Sequence, residues 1–306
     1  MHFTVLSKET VCLLIFKFPM KTSTTRKIIG SFILTVGFIA FAQGQNSLLW
    51  KISGNALSAP SYLFGTIHII CEDQFYMDEN TTKALQEAEQ LIMEMDMGDP
   101  ALMAQMQQLS INPGFKNIKS EIQPDDAKVL DQFLQTHYGA GLDQLGVLKP
   151  FVLSSMILMK ILPCERHTSY ELFFTEQAKA LDIPTKGLES VAEQVGMFDQ
   201  IPQQEQLGEI IEMLKEDKGM EEFDKMVAAY LSQDIAKLYA MITENGMFQN
   251  YQDLLLDQRN RSWIPLIEAY IAEKPAFIAV GSGHLFGKQG VISLLREAGY
   301  QVEPVH

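Results

Sequence analysis

The chain contains 306 residues, of which 47% are hydrophobic and 20% are charged, and its mean hydropathy is near zero. This composition is typical of a globular protein and excludes a disordered or collagen-like chain, and the length allows one or two domains. The formal net charge of −14 would repel a phosphate backbone, so nucleic acid is not expected as a partner.

The first 42 residues have the pattern of an export signal. Lys21, Arg26 and Lys27 precede an uncharged stretch, 28–42, that ends in Ala-Phe-Ala. We therefore expect cleavage after Ala42. The apolar stretch is shorter than the roughly 20 residues of a bilayer span, which predicts no permanent span in the mature chain.

The start of the protein has two candidate positions. Met20 opens the export signal more naturally than Met1, so residues 2–19 can reflect a start codon placed too early. With either start, the sequence predicts a periplasmic or extracellular protein that consists of residues 43–306.

The N-terminal part of the mature chain alternates strands with one helix. Apolar runs predict strands at 48–52 and 61–64, separated by turn-forming residues. Asp78 is a candidate N-cap for a helix that extends to about Gln90, and a buried strand is predicted over 91–95.

The middle of the chain, from residue 100 to about 272, is predicted to be mostly helical. Candidate helices cover 100–109, 124–137, 148–162, 169–181, 191–199 and several segments from 203 to 272. One short strand, 183–188, interrupts them. Ser190 and Glu193 then form a capping box for the helix that follows.

The last 31 residues repeat the plan of the N-terminal part. A buried strand at 276–280 precedes a helix over about 288–298 and a closing strand at 301–305. Strand, Gly-x-x-His, helix and strand thus occur at both ends of the chain. The sequence predicts an α/β fold: a mixed sheet built from the N- and C-terminal segments of one domain, 43–306, with a helical subdomain inserted at about 100–272.

Four side chains that can carry chemistry follow the predicted strands. His68, Glu94, Glu189 and His284 each lie at or just beyond the C-terminal end of a short apolar strand. Ligands of α/β proteins bind at that edge, so we expect these residues to converge. Two imidazoles and a carboxylate suit a divalent metal that lowers the pKa of bound water and polarises a carbonyl.

Each histidine follows a glycine by three residues, and we expect the glycine to provide a backbone conformation that other residues resist. A single Gly-x-x-His is a weak signal, because a lone histidine is more often structural. Two at matching positions favour a functional pair. The chain has no His-Glu-x-x-His, no Gly-x-Ser-x-Gly and no phosphate-binding glycine loop, which disfavours zincins, α/β-hydrolases and P-loop proteins.

Five motifs together resemble the TraB/GumN family, over almost all of residues 47–305. They are Leu-Phe-Gly-Thr-Ile-His at 63–68, Ile-Met-Glu-Met at 92–95, Gly-Leu-Glu-Ser at 187–190 with Gln194, Gln-Arg-Asn-Arg at 258–261, and Val-Gly-Ser-Gly-His at 280–284. That family is related to the Tiki metal-dependent proteases and more distantly to erythromycin esterases and haem-binding ChaN-like proteins.

The resemblance implies that His68, Glu94 and His284 form the metal or active site. It implies manganese or cobalt as the ion, with zinc as the alternative. Glu189, Arg259 and Asn260 match further motifs of the family.

Arg259 and Asn260 lie on the apolar face of the helix predicted at about 252–272. An arginine there needs a partner, because an unpaired buried charge is costly. Glu189, Glu94 or the developing negative charge of a reacting carbonyl would serve, and a purely structural ion pair is the alternative. Glu171, in another helix, has apolar residues at its i+3 and i+7 positions, which would suit a partly buried side chain, but a surface carboxylate is expected.

Cys71 and Cys164 are the cysteines of the mature chain, since Cys12 leaves with the export signal. An even pair in an exported protein suggests a disulfide, and two unrelated buried thiols are the alternative. The bond would tie the helical insertion to the loop that follows His68.

These observations predict an exported metal-dependent hydrolase that acts on a peptide or another carbonyl substrate. Glu189 would be a general base or would hold another residue in place, and Arg259 with Asn260 would orient the substrate or oxyanion. The alternative is a protein that binds haem, metal or a peptide in the same cleft without catalysis.

Overall fold

The computed structural model of the protein describes residues 46–215, 219–244 and 246–306. The export signal predicted at 1–42, with its alternative start at Met20, lies outside these residues.

A six-stranded mixed sheet forms the centre of the fold. Its strands, in chain order, are β1 (Leu49–Ser53), β2 (Ser61–Thr66), β4 (Gln90–Met93), β6 (Thr185–Gly187), β7 (Ala276–Gly281) and β8 (Gln301–Pro304); β3 (Ile70–Cys71) and β5 (His167–Thr168) form a separate antiparallel pair. The order across the sheet is β6-β4-β7-β2-β1-β8. The four strands from β6 to β2 are parallel, whereas β1 runs antiparallel to both of its neighbours.

Helices cover the sheet and form the region between β4 and β7. They are α1 (Glu79–Glu87), α2 (Leu102–Leu109), α3 (Pro124–Tyr138), α4 (Leu142–Leu145), α5 (Pro150–Ile161), α6 (Tyr170–Ala180), α7 (Val191–Phe198), α8 (Gln203–Lys215), α9 (Gly219–Leu231), α10 (Ile235–Thr243), α11 (Gly246–Gln252), α12 (Gln258–Glu273) and α13 (Val291–Glu297). A π-helical turn, Asp253–Asp257, leads into α12. The α/β fold class predicted from the sequence is confirmed.

Local sequence signals explain several helix ends. The Asp78 carboxylate accepts a hydrogen bond from the backbone N–H of Thr81 at the start of α1, and Ser190 and Glu193 form the predicted capping box of α7. However, α1 ends at Glu87 rather than near Gln90. Gln90 begins β4, where its fully buried side-chain amide donates to two backbone carbonyls at the end of α12.

The largest hydrophobic core lies on the sheet. Aromatic rings pack across it from β2, α6 and β7, where Phe64, Phe174 and Phe277 contact one another with ring centroids 4.9–6.0 Å apart. A second core, which includes Leu134 of α3 and Leu153 of α5, joins the helices of the insertion. Burial of this kind contributes roughly 25 cal/mol per Å² of apolar surface and holds the strand ends in fixed positions.

None of the helices among the described residues is both long enough and apolar enough to cross a bilayer.

The predicted disulfide is present. Cys71 and Cys164 are bonded, with 5.8 Å between their Cα atoms and a sequence separation of 93. Cys71 also pairs with His167 in the β3–β5 ladder. The bond and the ladder together attach the segment after His68 to the chain that leads into α6.

Candidate functional site

The four residues predicted to converge follow four adjacent parallel strands. Glu189 follows β6, Glu94 follows β4, His284 follows β7 and His68 follows β2, in the order of these strands across the sheet. The register of β2 with β7 pairs Thr66 with Gly281, so the two Gly-x-x-His segments leave the sheet side by side. The geometry therefore brings all four residues to the C-terminal edge.

His68 forms the accessible side of the site. Its side chain is 66% exposed, and its Nδ1 lies 2.9 Å from Oε1 of Glu171. The surrounding protein opposes a positive charge on the ring, but the Glu171 carboxylate outweighs that effect and raises the pKa of His68 to about 9. The same contact leaves Nε2 as the ring atom available to the cleft.

His284 lies on the buried side. Its Nδ1 is 2.6 Å from Oδ1 of Asn260, whose amide nitrogen donates to the backbone carbonyl of Gln289. This second contact fixes the amide, so Nδ1 carries the proton and Nε2 is the hydrogen-bond acceptor of the ring. Burial, reinforced by the Arg259 cation and opposed by Glu94, lowers the pKa of His284 to about 3 and keeps the ring neutral.

Glu94 lies between the two histidines. Its Oε1 accepts a 2.8 Å hydrogen bond from the backbone N–H of Gly281 and lies 3.8 Å from Nε2 of His284. Its Oε2 accepts from Arg259 at 2.5 Å. Burial alone would raise the pKa of Glu94, but Arg259 and the two imidazoles hold it far below its ordinary value.

Arg259 connects the buried groups. Its guanidinium donates to Glu94, to both oxygens of Glu189, to the backbone carbonyl of Leu255 and to Nε2 of His284, the last over 3.1 Å. These five contacts use all five of its N–H groups. The arginine thus has the carboxylate partners expected from the sequence, and no N–H is left for an oxyanion in this arrangement.

Glu189 is buried, and its carboxylate bonds to Arg259 through both oxygens and to the Gln194 amide at 2.9 Å. Burial raises the pKa of Glu189 although Arg259 opposes this shift. The site residues named from the sequence, Glu189, Arg259 and Asn260, are therefore brought together with His68, Glu94 and His284. Asn260 is 1% exposed and contacts His284, which leaves it without access to a substrate.

Gly65 and Gly281 are required for space, and not for the unusual backbone conformation that the sequence predicts. Neither Gly65 nor Gly281 has a positive φ, so an unusual backbone conformation is not the reason for glycine. A Cβ at Gly65 would lie 2.6 Å from the Leu285 side chain, and a Cβ at Gly281 would lie 3.2 Å from both Glu94 Oε1 and His68 Nε2. The missing side chain provides space for packing in one case and for the site in the other.

The donor atoms fit a divalent metal in chemistry and direction. Glu94 Oε1 and His68 Nε2 face the space beside Gly281, and each imidazole has its Nδ1 held by an oxygen, as metal-ligating histidines do. Glu94 and Glu189 share the Arg259 guanidinium, and Glu171 pairs with His68. These three carboxylates leave an excess of negative charge even when the His68 ring is protonated.

The side chains do not form a complete set of metal ligands in this arrangement. Within the described ranges, no three His, Cys, Asp or Glu side chains are close enough to hold an ion as they stand. The contact of Arg259 with His284 Nε2 is the main obstacle, because that electron pair is shared with a cation.

Glu171 is the residue that sequence reasoning missed. The sequence favours a surface carboxylate, but the Glu171 side chain is 15% exposed and bonds to His68, Thr66 and Ser169. The apolar residues at its i+3 and i+7 positions, Phe174 and Ala178, are both buried and were the available signal. Residues on the same face of a helix as buried neighbours share their environment.

The model of the TraB/PrgY/gumN family matches residues 48–304. Among curated proteins, the chain is 21% identical to Metalloprotease TIKI2 from Danio rerio, over 85% of the chain and 61% of that protein. It is also 21% identical to Metalloprotease TIKI1 from Danio rerio, over 84% of the chain and 63% of that protein, and to Metalloprotease TIKI2 from Xenopus tropicalis, over 84% and 60%. The chain thus spans about three fifths of the length of these relatives. No solved structure matches it.

Proposed function

The chain belongs to the TraB/PrgY/gumN family, and from this membership we propose that it is an exported metal-dependent hydrolase that cleaves a peptide or another carbonyl substrate. The names of its relatives support a metalloprotease-like activity. The Cys71–Cys164 disulfide supports an oxidising compartment.

One observation carries the proposal: Glu94 Oε1 and His68 Nε2 face the same small space beside Gly281, with His284 Nε2 3.8 Å from that oxygen. In our proposal His68, Glu94 and His284 hold a divalent ion. When bound, such an ion lowers the pKa of a water molecule and polarises the carbonyl of the substrate. Manganese or cobalt is the first candidate, and zinc the second.

Asn260, Arg259 and Glu189 hold the proposed ligands in position and in the required protonation state. Asn260 holds the proton of His284 on Nδ1, and Arg259 keeps Glu94 ionised. Glu189 holds Arg259 through both carboxylate oxygens, which favours a positioning role over that of a free general base. For an ion to bind His284, Arg259 must give up its contact with Nε2 of that ring.

The first test fills the space beside Gly281. Gly281→Ala has an ordinary backbone angle but adds a methyl group between Glu94 and His68, so manganese and cobalt affinity should fall at least tenfold in isothermal titration. Gly196→Ala is the control, because a Cβ there meets nothing within 4 Å. Equal metal affinity in Gly281→Ala and the parent protein would contradict the proposed site.

The second test concerns catalysis. The purified protein, supplied with manganese or cobalt, should cleave members of a peptide library, and a chelator or His284→Ala should abolish cleavage. Metal binding without any turnover would instead identify a binding protein for metal, haem or a peptide.

A further inference from the structure

We propose that Glu171 is a positioning residue for His68: its carboxylate keeps the imidazole proton on Nδ1 and so turns Nε2 toward Glu94. This inference rests on the proposed function, in which His68 Nε2 is a ligand. Glu171 lies 103 residues from His68 in sequence and reaches it from the first turn of α6.

The Glu171 carboxylate is itself fixed by two hydroxyl groups. Thr66, at the end of β2, donates to Oε1 at 2.6 Å, and Ser169, which caps α6, donates to Oε2 at 2.6 Å. With one hydroxyl on each oxygen, the carboxylate cannot turn away from the ring without breaking a partly buried hydrogen bond. Oε1 is therefore held at 2.9 Å from His68 Nδ1.

This contact decides which nitrogen carries the proton when the His68 ring is neutral, the form in which an imidazole binds a metal. An exposed histidine without a fixed acceptor exchanges freely between its two tautomers, and the Nε2–H form presents a donor where a ligand must present an electron pair. A carboxylate at Nδ1 removes that form. Partners of this kind are worth about 10–100-fold in metal affinity.

The two histidines of the repeated motif are held in the same manner by unrelated elements. Asn260 of α12 accepts the Nδ1 proton of His284, as Glu171 of α6 does for His68. The difference is the charge of the acceptor. The neutral amide lies on the buried side, beside Arg259, and the carboxylate lies on the exposed side, where solvent competes for the proton.

The backbone on either side also fixes the positions of His68 and Glu171 relative to each other. The loop after His68 enters β3, the chain before Glu171 leaves β5, and these strands pair with each other. The Cys71–Cys164 disulfide closes the same junction. Helix α6 of the inserted region is thereby held in a fixed position relative to the loop that follows His68.

The experiment compares four variants of the full chain. Glu171→Met keeps the volume and removes the acceptor, Glu171→Ala removes both, and Glu171→Gln restores an acceptor oxygen without the charge. Glu176→Gln is the control, since Glu176 is exposed on the same helix. Each is titrated with manganese and cobalt by calorimetry, and the His68 nitrogens are observed by ¹⁵N NMR in metal-free protein at a pH above the His68 pKa of about 9, where the ring is neutral.

We expect Glu171→Met and Glu171→Ala to lose 10–100-fold in metal affinity and to give a mixed tautomer signal for His68. Glu171→Gln should retain the Nδ1–H signal and recover most of the affinity. The inference is overturned if either variant without an acceptor, once shown by circular dichroism to be folded, keeps both the parent affinity and the Nδ1–H signal.

Failure of the proposed function gives a different result. If the parent protein binds no manganese or cobalt, the metal site is wrong, and the NMR signals of the metal-free variants still decide whether Glu171 controls the His68 tautomer.

Discussion

Arg259 and Arg261 lie two residues apart on α12 in contrasting surroundings. The Arg259 side chain is 14% exposed and pairs with two buried carboxylates, whereas Arg261 is 45% exposed and pairs with Asp253 at 2.8 Å. Removing one partner from a buried ion pair leaves an uncompensated charge, while an exposed pair contributes little. The two arginines therefore form a matched comparison within one motif.

We expect Arg259→Gln to lower the free energy of unfolding by about 3–5 kcal/mol, because Glu94 and Glu189 lose their shared cation. Arg261→Gln should cost less than about 1 kcal/mol. Urea unfolding of both variants checks this expectation. Similar losses in the two variants would mean that Arg259 does not stabilise the buried carboxylates.

The metal-free protein should lose stability in acid because His284 is held neutral in the folded state. Burial lowers the pKa of His284 to about 3, against about 6.5 in the unfolded chain. Between these values the unfolded chain binds a proton that the native protein does not, so the free energy of unfolding falls as the pH decreases from 6.5 toward 3.

In His284→Gln this contribution is absent. The difference in unfolding free energy between the parent protein and the variant should therefore shrink by about 1 kcal/mol or more over that interval. Urea titrations at successive pH values, with chelator present, measure the difference. Parallel curves for the two proteins would show that His284 is not held neutral by its surroundings.

The sequence identifies a site residue when the pattern next to it is informative. It misses a residue whose role depends on contact with a distant part of the chain. Glu94 and His284 are recognisable because each follows a strand. Glu171 is not, because its partner His68 belongs to another part of the chain. The role of Asn260 is hidden in the same way, since a residue on the apolar face can contact a substrate or another side chain, and only the position of His284 decides between them.

Among the secondary-structure elements, the short β3–β5 pair connects two parts of the chain that are far apart in sequence. Two two-residue strands and one disulfide join segments 93 residues apart. The pairing of the cysteines follows from their number, but the ladder beside them does not. Strands of two residues have no recognisable hydrophobic period.

Removal of the disulfide in the double variant Cys71→Ser, Cys164→Ser should lower the free energy of unfolding by up to about 4 kcal/mol, because the unfolded chain regains the freedom of a long loop. Calorimetry of the parent protein with and without reductant provides an independent measure. Identical melting temperatures in all three samples would contradict a stabilising bond.

At the scale of the whole molecule, the sequence predicts one sheet from both ends of the chain, which the structure confirms, but not the order of its strands. β7 lies between β2 and β4, and β6 comes from the helical region to form an edge. Hydrophobic patterns identify buried strands such as Ala276–Gly281 without identifying their neighbours. The order depends on packing between distant segments.

Because the proposed ligands come from three strands, metal binding should stabilise the entire fold. At a manganese concentration 100 times the dissociation constant, the expected gain is about 2.7 kcal/mol. Differential scanning calorimetry should show a melting temperature that rises with manganese in the parent protein and stays constant in His284→Ala. A rise of equal size in the variant would place the ion elsewhere.

The central position of β7 has a consequence for the order in which the sheet assembles during folding. β2 and β4 flank β7 on either side, so the two strands reach their final positions in the sheet only when β7, which follows both of them in the chain, is inserted between them. His68 and Glu94 are synthesised early but have no common strand to align them before then. A chain in which β7 has not yet joined the sheet therefore lacks the assembled ligand set of the proposed metal site.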